Sequence, residues 1–110
     1  MEHKDVIEAT CPECRGPLTK IGLDHVHEYE CLVGHKYSAQ ILLKAHSETQ
    51  ERALWAAVVA LEEATTLVSA VNGEFSPEIA QNLAEQASVK HKQAQVIRKL
   101  LQELEPFRTE

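Results

Sequence analysis

The chain has little of several things, and each scarcity excludes something. Its 110 residues include only 4 glycines, 4 prolines and 3 cysteines, and aromatic residues make up 5 %. The glycines stand far apart, at positions 16, 22, 34 and 73, so no glycine-rich phosphate loop can be assembled from them. An odd number of cysteines cannot all pair within the chain, which excludes a complete disulfide framework. There is no long hydrophobic run. The longest uninterrupted one is Ala53 to Leu61, closed by Glu62-Glu63, and no membrane-spanning segment is expected from it. Basic excess is missing too: the formal net charge is −6, against sequence-independent binding to nucleic acid. The N-terminal run Met1-Glu2-His3-Lys4-Asp5 is charged and lacks the apolar core of a secretory leader. A reduced, cytoplasmic setting is expected, where a CxxC motif reads as metal or redox chemistry.

What is present starts with those three cysteines. Cys11-Pro12-Glu13-Cys14 is a CxxC, Cys31 follows, and His35 stands a short step beyond it. Three thiolates and one imidazole make a complete tetrahedral set for a structural Zn²⁺, one per chain. Cys11, Cys14, Cys31 and His35 are therefore the expected ligands. His25, His27 and His46 are the alternatives for the fourth place; the first two lie between the cysteine corners and the third lies beyond them. A closed Cys₃His set leaves no open position for substrate, and no serine or histidine elsewhere forms a recognisable triad. The expectation is a protein that is not an enzyme. Glu13, Glu28 and Glu30 read as solvated residues of the metal-binding segment.

The fold class expected is a small α+β protein: an N-terminal zinc ribbon, built on a β-hairpin, followed by a long antiparallel α-helical hairpin. Its parts are a ribbon over 1–37, a short helix and hinge over 38–47, and the helical hairpin over 48–110. Residues 1–8 read as a polar lead-in, with Val6 and Ile7 able to pack on the ribbon. Leu18–Ile21 and Val26–Cys31 read as strands around a turn at Gly22-Leu23-Asp24, the second by its period-two alternation. Gly16 and Gly34 adjoin the cysteine corners, where a residue without Cβ is often needed. A hairpin this small is marginal in water, so metal should supply much of its folding free energy.

Ser38 is a good helix N-cap. Ser47-Glu48-Thr49-Gln50 has the form of a capping box, which predicts a break or kink at Ser47. Leu54, Val58, Leu61, Val68 and Val71 then recur at helical spacing until Asn72-Gly73 stops the helix, with glycine suited to a left-handed residue. Ser76-Pro77 opens a second helix carrying Ile79, Leu83, Ala87, Ala94, Ile97, Leu101 and Leu104, which runs to about residue 104, before Pro106. The short connection makes the helices antiparallel neighbours. Val59, Leu67, Val89, Val96 and Leu100 lie off the main stripes. That surplus of apolar surface points to a homodimer or a protein partner at the hairpin.

Several runs resemble a known module. Cys11-Pro-Glu-Cys14-Arg-Gly-Pro-Leu18, Tyr29-Glu-Cys31-Leu-Val-Gly-His35-Lys-Tyr37-Ser38, Ala53-Leu-Trp55-Ala-Ala and Ala60-Leu-Glu-Glu63 look like the small zinc-ribbon-plus-helix module at the C-terminus of some bacterial chemotaxis-type protein-glutamate methylesterases (CheB-like proteins), which also occurs as a stand-alone protein. The likeness spans roughly residues 10–70. It implies the same four ligands and a place in chemosensory or two-component signalling. The methylesterase domain is a separate, larger α/β unit, and its activity is not implied. The expected function is a zinc-binding interaction or oligomerisation module. Two alternatives stand beside it. One is a nucleic-acid-binding ribbon using Lys4, Arg15, Lys20, Lys36 and Lys44 as one basic face. The other is a redox- or metal-responsive switch.

Overall fold

A computed structural model describes residues 2–23 and 26–110. Four strands come first: β1 (Glu2–Thr10), β2 (Pro17–Leu23), β3 (Val26–Cys31) and β4 (Lys36–Tyr37). They form one antiparallel sheet in the order β1-β2-β3-β4. Two helices follow, α1 (Ala39–Val71) and α2 (Pro77–Glu103), joined through a 3₁₀ turn at Asn72–Glu74, and they pack as a hairpin. The α+β architecture is the one expected, but the sheet has twice the strands of a simple ribbon hairpin.

The first of the extra strands has a physical reason for going unannounced. Residues 2–10 are mostly polar, so no apolar pattern announces them; they are held by backbone pairing to β2, from Glu2 with Leu23 to Ile7 with Leu18. The expected lead-in is therefore a strand. Among its described side chains Ile7 packs inward, while Val6 is 77 % exposed. The register is interrupted between Ile7 and Thr10, where the strand bends toward the first cysteine corner. Of the turn expected at Gly22-Leu23-Asp24, Gly22 and Leu23 belong to β2; Asp24 lies outside the described residues, as does His25.

Register sorts the sheet into two faces. Ile7 pairs with Leu18 and Leu18 with Cys31, so these three share one face. That face is the core: Cys11, Leu18, Cys31 and Tyr37 are buried together, with Ile7, Tyr29, Leu42 and Ala45 packed around them. Leu42 and Ala45 come from the first turns of α1. The opposite face carries rows of paired residues, Lys4–Ile21–Glu28 and Val6–Thr19–Glu30, with Lys36 opposite Glu30.

Ser38 caps α1 as expected, its Oγ accepting from Ile41 N–H at 3.2 Å. The break expected at Ser47 is absent, for α1 is continuous to Val71. Instead of capping a new helix, the Ser47 hydroxyl bonds back into the existing one, and Thr49 does the same. Ser47 Oγ donates to Leu43 C=O at 3.1 Å and Thr49 Oγ1 to Ala45 C=O at 3.0 Å, the i−4 pattern that a helix interior tolerates. Ser47 Oγ also accepts from Phe107 N–H at 3.1 Å, and Gln40 Nε2 donates to Thr109 Oγ1 at 3.1 Å. The C-terminal segment is thereby tied to the start of α1. Two compact units result, Met1–Thr49 with Glu105–Glu110, and Gln50–Leu104.

In the second unit Gly73 does not take the left-handed conformation; positive φ occurs elsewhere, at Arg15 and Gly34. The chain instead tightens into the 3₁₀ turn, with Phe75 N–H on Asn72 C=O at 3.3 Å. Ser76 caps α2 by accepting from Ile79 N–H at 3.3 Å, with Pro77 in the first turn. Between the helices Val58, Ala87 and Ala94 are buried. The other large apolar residues of the expected stripes remain half-buried, and Ile79 is exposed. Arg98 of α2 grips Glu62 of α1 through two hydrogen bonds, 2.7 and 3.1 Å, and its guanidinium stands 5.4 Å from the Trp55 ring centroid. By length and composition the helical stretch Ala39–Glu74 holds an 18-residue window, of mean hydropathy 1.5, apolar enough to cross a membrane, where no span is expected from the longest apolar run. Glu62 and Glu63 sit side by side within it, and carboxylates at bilayer depth are costly.

Candidate metal centre

Each cysteine corner is a tight turn at the end of a strand. At the first, Cys11 N–H donates to Gly16 C=O at 2.7 Å and Arg15 N–H to Cys11 C=O at 2.8 Å. Closing that loop puts Arg15 at φ 62°. The left-handed residue is thus Arg15, not the neighbouring Gly16, where a Cβ would make ordinary contact with Cys14 Sγ at 3.4 Å. At the second corner Gly34 does take positive φ, 109°. Its N–H donates to Cys31 C=O, and Cys31 N–H to His35 C=O, both at 3.1 Å. His35 N–H points at Cys31 Sγ, 3.4 Å away.

Because β1, β2 and β3 pair side by side, the two corners converge. The donor atoms of Cys11, Cys14, Cys31 and His35 all lie within 4.8 Å of one another. His35 Nδ1 is 3.2 Å from Cys31 Sγ and 3.6 Å from Cys11 Sγ, and Cys14 Sγ is 3.6 Å from Cys31 Sγ. A tetrahedral ion with metal–sulfur bonds of about 2.3 Å and metal–nitrogen bonds of about 2.0 Å separates N and S by about 3.5 Å, and two sulfurs by about 3.8 Å. The donor set is geometrically compatible with one metal ion, and all three cysteines are free.

The surroundings favour thiolates at two of the three. Burial pushes the Cys31 thiol up, but the N–H groups of His35 and Val33, the Cys14 thiol and the N–H of Gly34 outweigh it and bring it down to about 6. Burial opposes ionisation of Cys11 as well, and there the Tyr37 hydroxyl and the N–H groups of Cys14 and Glu13 win, leaving it lowered. At Cys14 the Gly16 N–H lowers the thiol, yet desolvation and the adjacent Cys31 and Cys11 leave it raised. Metal ligation takes the thiolate form of each cysteine, so an arriving cation would displace whatever thiol protons remain.

Two of the other candidate ligands lie elsewhere. His27 is exposed on β3. His46 lies on α1 with the Phe107 ring 6.5 Å away. His25 is outside the described residues.

Two residues matter here that sequence reasoning did not assign to the site. Glu13, read as solvated, has its carboxylate 3.0 Å from His35 Nε2. Tyr37 is 6 % exposed and its hydroxyl is 3.1 Å from Cys11 Sγ; against a thiolate the hydroxyl is the donor. Its place two residues past His35, in a strand pairing with β3, was the available signal. Tyr37→Phe keeps the ring and removes that one bond. A hydrogen bond to a charged group is worth about 1.5–3 kcal/mol, so metal affinity should fall about 10- to 150-fold, measured by chelator competition.

Comparison with known proteins finds no match: no family model, no curated protein and no solved structure matches this chain.

Proposed function

We propose that this protein is a zinc-binding, non-enzymatic module: Zn²⁺ closes the head of the molecule, and the helical hairpin binds a second copy of the chain or another protein. The observation that carries the metal is the convergence of four donors within 4.8 Å. Thiolate-rich tetrahedral sites select zinc among the abundant divalent ions, and a closed set gives it a structural role.

The interaction role rests on the hairpin's unfinished core. Val58, Ala87 and Ala94 are buried, whereas Val59, Leu67, Val89, Val96 and Leu100 are 46–69 % exposed. Apolar surface of this kind marks contact sites, and pairing two hairpins into a four-helix bundle is a common way to cover it. The glutamate pair in α1 favours this use of its apolar face over a lipid environment. On the resemblance to the CheB-associated module, a protein partner would come from bacterial signalling. The register argues against a nucleic-acid face. Lys4 and Lys36 share rows with Glu28 and Glu30, while Lys20 pairs with Asp5 and Tyr29 on the other face.

Native mass spectrometry of freshly purified, unreduced protein tests the reading, because it reports metal and oligomer together. One zinc per chain in a dimer is the expected result. A metal-free monomer with an internal disulfide would overturn it in favour of a redox switch.

A further inference from the structure

We infer that Glu13 is the positioning residue of the metal site: its carboxylate holds the imidazole of His35 in the tautomer and orientation that present Nδ1 to the ion. The inference rests on the metal reading above and goes beyond it, because Glu13 belongs to the CxxC and is not itself a ligand.

The argument begins with the two ring nitrogens. Nδ1 of His35 is the one among the sulfurs, 3.2 Å from Cys31 and 3.6 Å from Cys11. Nε2 lies on the other side of the ring, and there it meets Glu13 Oε2 at 3.0 Å. A neutral imidazole has one N–H and one bare nitrogen. If Nε2 carries the proton and donates to Glu13, Nδ1 is left bare and aimed at the donor cluster. A carboxylate on the far nitrogen fixes the ring and makes the ligating nitrogen more basic. The same contact shows why Glu13 is not a fifth ligand: its oxygen sits behind the ring, away from the sulfurs.

The turn makes this placement a consequence of the chain. Pro12 is buried, and the Arg15-to-Cys11 hydrogen bond of 2.8 Å closes the turn. The turn that carries Cys14 therefore carries Glu13 too. His35 belongs to the second corner. The Glu13–His35 contact thus ties one corner to the other without passing through the ion, and it aligns the fourth ligand before a metal arrives.

The test compares the full-length wild-type chain with Glu13→Gln and Glu13→Ala. Zinc affinity is measured by competition with a chromophoric chelator, and the His35 ring nitrogens are observed by ¹⁵N NMR. Outer-shell partners of metal-bound histidines are typically worth 10- to 100-fold in affinity. The Glu13 side chain is 61 % exposed, so water can partly replace it, and about 10-fold is expected for Glu13→Ala. Glu13→Gln keeps an acceptor oxygen and should lose less. In the wild type the metal is expected on Nδ1 with a protonated Nε2, and in Glu13→Ala the Nε2–H should exchange faster with solvent. A residue that merely stabilised the turn would leave that exchange unchanged. Equal zinc affinity and equal Nε2–H exchange in wild type and Glu13→Ala would overturn the inference, as would metal on Nε2. A wild-type chain that takes up no zinc would instead remove the site reading on which the inference stands.

Discussion

Stripping the metal with a chelator, or replacing Cys31 with serine, is expected to unfold the four-stranded sheet while residues 50–104 stay helical. Structural zinc supplies folding free energy on the order of 10 kcal/mol in small domains, more than a sheet of this size can replace. The reason lies in what the sheet has for a core. Of the four residues buried together there, Cys11 and Cys31 belong to the candidate metal site as well. The four donors come from two separate turns, Cys11 and Cys14 from one and Cys31 and His35 from the other, and a cation would join them. Residues 50–104 form their own compact unit, closed by Val58, Ala87 and Ala94 and by the Arg98–Glu62 pair. Hydrogen exchange should therefore show protection lost across β1–β4 and kept in the hairpin, with far-ultraviolet circular dichroism still dominated by helix. Stoichiometric zinc retained by Cys31→Ser would refute the ligand assignment. Melting of the hairpin together with the sheet would refute the independence of the two units.

Leu18→Ala should have the next largest effect. Leu18 is 1 % exposed and stands in register between Ile7 and Cys31. It is the one member of the buried cluster that is purely hydrocarbon. Truncating a buried leucine costs about 2–5 kcal/mol, the transfer term plus the cavity. That is comparable with the whole stability of many small domains. Where folding and metal binding are coupled, the loss reappears in the metal affinity. A fall of at least about 30-fold is expected, since each 1.4 kcal/mol is a factor of ten. Val6→Ala, on the same sheet but 77 % exposed, is the control and should stay within about 0.5 kcal/mol of wild type. Metal affinity unchanged in Leu18→Ala would mean that the ligands are held without the leucine beneath them.

The site and the sheet were not equally legible. Ligand types at fixed spacings survive any uncertainty about strands, because three thiols and an imidazole have few other reasons to recur so close together. The geometry that gathers Cys11, Cys14, Cys31 and His35 follows from strand pairing, and β3 showed its alternation. β1 did not, because its pairing is a matter of backbone hydrogen bonds and its side chains are mostly polar. Ser47 misled for a related reason. A serine followed by a glutamine three residues later suits a helix start, but its hydroxyl has two partners that sequence cannot reveal, Leu43 C=O and Phe107 N–H. Glu13 escaped because a carboxylate in a polar turn looks the same whether it faces water or an imidazole.

The place of β1 at the rim of the sheet has a consequence for how the chain behaves in a crowd. An outermost strand leaves a row of backbone donors and acceptors open to another molecule's strand, which is the first step of fibrillar stacking. Here the apolar pair Val6-Ile7 is bracketed by Asp5 and Glu8, with Lys4 just before them. The irregularity between Ile7 and Thr10 interrupts the flat template that stacking needs. The residues that made β1 so hard to recognise as a strand are thus gatekeepers. Their polarity hides the strand from sequence reading, and by the same physics it shields the rim from other chains.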